Sequence, residues 1–299
     1  MKELVGAYPV LITPMFDNEE VNYDGLRDNI EHFINQGVAG IVVNGSTGEF
    51  VSLTKEEKFK TAELAVEQVA GRIPLIIGTA AETTKDATMY TQHAEEAGAD
   101  AALVINSYYA HPKDEEVYAH FKAVANSVSI PVMIYNNPFT SGVDIGTETI
   151  LQVARDVDNI THIKESSGEI RKVRDITRQG KGFLKTFCGA DDLVLESLLV
   201  GATGWISVAG NIVPKIATDL FTSVQEGDLD KAWELYDQIL PLCNFLEGSG
   251  KYVQIVKRSM DLQGLAGGPS RRPRLSLTEE EDAKLREILE TLSNLYLSK

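Results

Sequence analysis

The sequence predicts a (β/α)₈ barrel, on three observations. Short β-branched runs recur eight times, a segment of helical periodicity follows each, and most of the runs are apolar almost throughout, as parallel strands covered on both faces are. In order, the runs are Tyr8–Thr13, Gly40–Asn44, Pro74–Gly78, Ala101–Asn106, Pro131–Asn136, Ile160–Lys164, Leu184–Cys188 and Gly204–Val208. A doubly wound open sheet uses the same βα unit and ranks second, because no G-x-G-x-x-G follows the first run.

The intervening helices are expected at Tyr23–Asn35, from Thr54 onward, and at Thr84–Ala97, Asp114–Asn126, Thr147–Arg155, Glu169–Arg178, Asp191–Leu199 and Val213–Val224. The second opens with the capping box Thr54-Lys-Glu-Glu57, after which Phe59, Ala62, Val66 and Val69 share one face. From about Leu229 the strand pattern stops. Asp230–Leu246, Lys251–Leu262 and Thr278–Leu295 read as three helices, the last behind a second capping box, Thr278-x-x-Glu281. The expected organisation is a barrel over residues 1–226 and a helical extension over 227–299 packed on it.

The chain has 299 residues, a formal charge of −16 and a pI near 4.8. That balance disfavours nucleic acid and anionic membranes as partners, but leaves a small anionic substrate open, since a local site can be positive. No apolar run is long enough to span a bilayer, and the first residues lack the apolar core of a signal peptide. Two cysteines without a C-x-x-C, and five histidines without ligand spacing, give neither a disulfide framework nor a zinc site. A cytoplasmic protein is expected.

Chemistry in such a barrel sits at the carboxyl ends of the strands. Lys164 ends an apolar strand there, where burial lowers an amine's pKa and a neutral amine attacks a ketone. The competing reading pairs Lys164 with Glu165 or a neighbouring carboxylate as structure, and by pattern alone the two stand level. Tyr135 is the candidate proton shuttle, or else a packed aromatic. The turn Gly45-Ser46-Thr47-Gly48 offers successive N–H groups and two hydroxyls to a carboxylate, although glycines also serve loop geometry alone. Asp191 and Asp192 either bind substrate hydroxyls or answer a helix dipole, and the second reading is preferred for Asp192. Cys188 reads as core. Arg271-Arg272-Pro273-Arg274 reads as a solvated loop or a subunit contact, and Tyr108-Tyr109 as a core or interface pair.

Taken together, Gly45-Ser46-Thr47-Gly48-Glu49, Tyr135-Asn136-x-Pro138, Ile163-Lys164-Glu165 with Gly168, Gly189-x-Asp191-Asp192 and Ile206-Ser207-Val208 resemble the dihydrodipicolinate synthase / N-acetylneuraminate lyase family. The resemblance runs over essentially the whole chain. It implies a Schiff base between Lys164 and the keto group of pyruvate or another 2-keto acid, with Tyr135 moving the proton. It further implies that Ser46 and Thr47 hold the keto-acid carboxylate, and that Ser46 and Tyr109 complete a hydroxyl relay with Tyr135. Tyr109 would come from a neighbouring subunit of a homotetramer. Gly48, Thr140, Ser166, Gly189, Asp191 and Ser207 fall at substrate-binding positions. Neither a metal nor an organic cofactor is implied.

One departure bears on the substrate. Where dihydrodipicolinate synthases place an arginine two residues after the Y-N-x-P proline, this chain has Thr140, and a hydroxyl does not replace a bidentate guanidinium. The expected activity is therefore an aldolase or lyase acting on a 2-keto-3-deoxy sugar acid. Dihydrodipicolinate synthase, which condenses pyruvate with aspartate semialdehyde, and a Schiff-base dehydratase of such sugar acids are the alternatives.

Overall fold

The computed structural model describes residues 2–297, with side-chain surroundings through residue 293. Its strands are β1 (Gly6–Pro9), β2 (Ile41–Val43), β3 (Leu75–Gly78), β4 (Ala101–Ile105), β5 (Val132–Asn136), β6 (Ile160–Glu165), β7 (Lys185–Cys188) and β8 (Gly204–Ser207). They pair in parallel in the order β1-β8-β7-β6-β5-β4-β3-β2. A parallel bridge between Val10 and Val42, with the Leu11 N–H donating to the Val42 carbonyl at 2.8 Å, joins β1 to β2. The sheet thereby closes, and the open-sheet alternative falls. The first strand is displaced from its expected place: of the run Tyr8–Thr13 only Tyr8 and Pro9 lie in register with β8, Val10 adds a last bond from its N–H to the Ser207 carbonyl at 2.9 Å, and the chain then turns toward β2.

The helices between strands are α1 (Tyr23–Asn35), α2 (Lys55–Val69), α3 (Thr84–Ala97), α4 (Asp114–Ala125), α5 (Pro138–Ser141), α6 (Thr147–Asp156), α7 (Ile170–Gln179), α8 (Val194–Leu199) and α9 (Pro214–Glu226). Three more follow: α10 (Leu229–Gly248), α11 (Tyr252–Leu262) and α12 (Glu279–Leu297). Both capping boxes form. Thr54 Oγ1 accepts from Glu57 N while Glu57 Oε2 accepts from Thr54 N (3.2 and 2.8 Å), and Thr278 and Glu281 repeat the exchange at the start of α12. The residues expected to open α8 form a 3₁₀ turn instead, Asp191–Leu193. The one-turn helix α5 has no long periodic pattern to announce it. Asn137 caps it and Pro138 starts it.

Two apolar shells hold the barrel. Tyr8, Val10, Val42, Ile76, Leu103, Met133, Phe187 and Ile206 fill its interior, alternating along each strand with residues that face the helices. Outside, Leu235, Ile239 and Leu242 of α10, Ile255 and Met260 of α11 and Leu285 of α12 belong to one core with Trp205, Ile212 and Leu220. The C-terminal helices thus share the barrel's outer core on the β8–α9 side. The end of α10 and the start of α11 reach the mouth of the barrel.

Candidate active site

At the carboxyl end of the barrel lies a cavity of about 440 Å³. Neighbouring strands deliver its central pair: the register sets Tyr135 of β5 beside Lys164 of β6. Lys164 is 4% exposed, and its ammonium lies over the Tyr135 ring, 4.3 Å from the centroid. Among the described residues it forms no ion pair. Glu165, the partner expected under the structural reading, points elsewhere. Its carboxylate accepts from Asn136 Nδ2 at 2.9 Å and from the Ser167 N–H at 2.7 Å, and burial holds its pKa above the ordinary value. Asn136 also donates to Asp144, which Lys172 pairs with, so a polar network outside the barrel locks the ends of β5 and β6 together.

Room for the lysine is made by a missing side chain. A Cβ on Gly189 would stand 2.0 Å from Ser166 Oγ and 2.7 Å from Lys164 Cε. Nothing larger than glycine leaves Lys164 its course into the cavity. On the tyrosine side, Asn137 Nδ2 donates to Tyr135 Oη at 2.8 Å. The phenol oxygen is thereby used as an acceptor, and its own proton stays available to the cavity.

The loop after β2 supplies the opposite wall with Ser46 and Thr47. Asn44 and Glu49 both adopt left-handed backbone conformations (φ 56° and 57°), which bend the loop at either end. Thr13 Oγ1 donates to the Gly48 carbonyl at 2.7 Å, and Glu49 N–H to the Ser46 carbonyl at 3.1 Å. Among the described residues no protein acceptor takes the N–H groups of Ser46, Thr47 or Gly48. Successive unclaimed N–H groups in a tight turn are a site for an anion.

Lys164, Tyr135, Ser46, Thr47, Thr140, Ser166 and Gly189 therefore meet at one cavity. The Ser166 hydroxyl is buried there without a partner. The remaining expected residues stand elsewhere. Gly48 is behind the wall, offering its carbonyl to Thr13. Asp191 is fully buried and accepts from Trp205 Nε1 (2.8 Å) and from the N–H groups of Val208 and Ala209 (3.2 and 2.6 Å). Burial raises its pKa, against the pull of those three donors. Its oxygens are engaged in fixing the β8 turn, so the expected substrate contact is corrected to a structural one. Ser207 likewise spends its hydroxyl on the Gly210 N–H at 2.7 Å. Tyr109 is 84% exposed and away from the cavity of its own chain. Glu82 holds its loop: the carboxylate accepts from Ser107 Oγ and from the N–H groups of Tyr108, Tyr109 and Ala110.

Several wall residues carry no local sequence signal. Leu246, Glu247, Gly250 and Tyr252 come from the end of α10 and the start of α11, and Asp192, assigned to a helix dipole, also lines the cavity. Asn137 sits inside the Tyr135–Pro138 segment and Phe139 directly follows it, so both are within reach of the motif. Cys188 is core, as expected, with burial pushing its thiol up to about 12.

A buried amine without a carboxylate partner, a phenol beside it and an anion-accepting turn opposite make a site for attack on the carbonyl of a small keto acid. The sequence matches the model of the Dihydrodipicolinate synthetase family over residues 3–292. The chain belongs to that family. Among curated relatives, the 4-hydroxy-tetrahydrodipicolinate synthase of Methanothrix thermoacetophila is 36% identical over 294 residues, covering 97% of each chain. The enzyme of that name from Methylacidiphilum fumariolicum SolV superposes with a TM-score of 0.95 at 31% identity, over 99% of this chain and 98% of its own. A prophage protein of the dihydrodipicolinic acid synthase family from E. coli K12, solved with pyruvate, gives 0.92 at 30%, over 97% and 98%. The chain is thus an enzyme of a pyruvate-dependent, Schiff-base-forming aldolase family. The names of these relatives agree with the synthase alternative better than with the sugar-acid reading. Among the described residues no helix is long and apolar enough to cross a membrane.

Proposed function

We propose that this enzyme condenses pyruvate with aspartate semialdehyde, the reaction for which its relatives from M. thermoacetophila and M. fumariolicum are named. The observation that carries the chemical half of this reading is the unpaired Lys164 against Tyr135 in the cavity. Lys164 Nζ adds to C2 of pyruvate, and loss of water leaves an iminium. A proton leaves C3, the resulting enamine attacks the aldehyde carbon, whose oxygen takes up a proton, and the amino group of the semialdehyde then adds to C2, closing the ring and freeing Lys164. Tyr135 relays protons to and from the carbinolamine oxygen, and the Ser46-Thr47 turn holds the pyruvate carboxylate. Ser46, and Tyr109 of a neighbouring subunit, extend the relay in a homotetramer. Neither metal nor organic cofactor enters these steps, and the reaction takes place in the cytoplasm.

A second reading has an observation of its own. Thr140 is on the wall where the synthases carry arginine, and the acceptor side holds the carboxylates of Asp192 and Glu247 and no guanidinium. That lining suits the hydroxyls of a 2-keto-3-deoxy sugar acid. Steady-state assays with pyruvate and aspartate semialdehyde, run beside cleavage of 2-keto-3-deoxy sugar acids, decide between the two. We expect kcat/KM to favour the semialdehyde. A preference of about tenfold or more for a sugar acid installs the second reading.

A further inference from the structure

The turn that faces the keto acid is not held by the barrel alone. Glu49, which closes it, is 0% exposed, and its side chain leaves the barrel mouth for the C-terminal helices. There Glu49 Oε1 meets Lys257 Nζ of α11 at 2.6 Å, and Lys257 is itself 1% exposed. Lys257 spends a second donor on the Pro269 carbonyl at 2.7 Å. Glu49 Oε2 accepts the N–H of Arg271 at 3.0 Å and stands 3.5 Å from Arg274 Nη1.

The basic run expected to be a solvated loop or a subunit contact is, within this chain, a strap. Arg271 grips Glu57 with both terminal guanidinium nitrogens (2.7 and 2.8 Å) and also donates to the carbonyls of Ser52 and Glu19 (both 2.6 Å). Arg274 adds a bond to Ser52 Oγ at 3.2 Å. Only Arg272 points outward. Glu57 is at once the capping-box residue of α2 and the anchor of Arg271, so the segment from Pro269 to Arg274 is tied down on both sides of Glu49.

We propose that Glu49 and Lys257 are positioning residues for the keto-acid carboxylate: the buried pair and the strap around it hold the Ser46-Thr47 turn in the left-handed closure that presents its N–H groups to the cavity. This rests on the Schiff-base reading above. The main-chain link is direct, because Glu49 N–H bonds the Ser46 carbonyl and its φ of 57° is a conformation a non-glycine residue keeps only when its surroundings impose it. The pair touches no reacting atom, so its loss acts on how tightly pyruvate is held and not on how the lysine reacts.

Borohydride trapping of the full-length protein, titrated with pyruvate and read by intact mass, separates these effects. Lys257→Met is expected to raise the pyruvate concentration for half-maximal adduct about tenfold, with the same plateau at saturation. Since the single variant leaves the buried Glu49 with only Arg274, 3.5 Å away, as a charged neighbour, the double variant Glu49→Gln/Lys257→Met is measured beside it, with thermal unfolding as the check on fold. The double variant is expected to keep the fold and the raised half-saturation. Unchanged half-saturation in a folded variant, or a lowered plateau with half-saturation intact, overturns the proposal in favour of a structural role only. Absence of adduct in the unmodified enzyme would be a different failure, removing the Schiff-base reading and this inference with it.

Discussion

Two lysines of this chain are buried to nearly the same degree, and their surroundings differ in kind. Lys257 is met by Glu49 at 2.6 Å and by a carbonyl at 2.7 Å. Burial pulls its pKa down, and the Glu49 carboxylate opposes that pull. Lys164 has an aromatic face, a cavity and, among the described residues, no carboxylate within ion-pair distance, only the longer-range attraction of Asp191 and Glu247. A buried cation with its counter-ion is a fastener, because any attack by the amine would first have to break the pair. A buried amine left unpaired beside a phenol is a reagent. The seam with the C-terminal helices and the mouth of the barrel thus use the same side chain for opposite ends.

That contrast can be broken by substitution. Tyr135→Phe removes the proton relay and leaves the packing, and kcat is expected to fall by about 10²–10⁴ while borohydride still traps some adduct. Gly189→Ala sends a methyl group into Lys164 and Ser166, so the lysine must leave its course. A loss of about 10²-fold in kcat/KM with a nearly normal unfolding midpoint is the expected signature.

The fastener responds in stability instead. Lys257→Met leaves the Glu49 charge buried with Arg274 3.5 Å away, and denaturant unfolding should lose about 3 kcal/mol, the low end for a broken buried pair. The double variant with Glu49→Gln is expected to recover most of that loss. Equal losses in both variants would mean that Lys257 acts through packing and not through the pair.

The smallest effect concerns the Tyr109 loop. Burial pushes the Glu82 carboxyl up, but the Ser107 hydroxyl and the N–H groups of Tyr108, Ala110 and Tyr109 outweigh it and hold the group below its usual 4.5. Its contribution to stability is therefore complete above about pH 4.5 and fades as the pH falls through the lowered value. Thermal unfolding of Glu82→Gln should differ from the parent at neutral pH and converge with it in acid. A constant difference across that range would remove the carboxylate from the account.

The barrel was legible because its strands are buried on both faces and its helices on one, so each element carries its period in its own sequence. Lys164 and Tyr135 were legible for the same reason, as polar side chains at the ends of apolar strands. What escaped depends on residues far apart in the chain. Nothing near Lys257 announces Glu49, and nothing near Arg271 announces Glu57. The run at 271–274 read as a solvated loop or a subunit contact because the acids that neutralise it lie more than 200 residues away. Asp191 shows the converse error: an acidic residue at a strand end resembled a ligand for substrate, and its partners prove to be an indole N–H and two backbone N–H groups. The first strand slipped because Val10–Thr13 are as apolar as paired residues, yet they turn inward to meet β2 and the loop after it.

The central claim is that Lys164, and no other lysine, forms a covalent bond with a keto acid. The direct test is reduction with borohydride in the presence of pyruvate, followed by peptide mass spectrometry of the parent and of Lys164→Ala. The account predicts one pyruvate-dependent adduct on the peptide carrying Lys164, absent from the folded variant. An adduct on Lys257 or any other lysine, or none at saturating pyruvate, would contradict it.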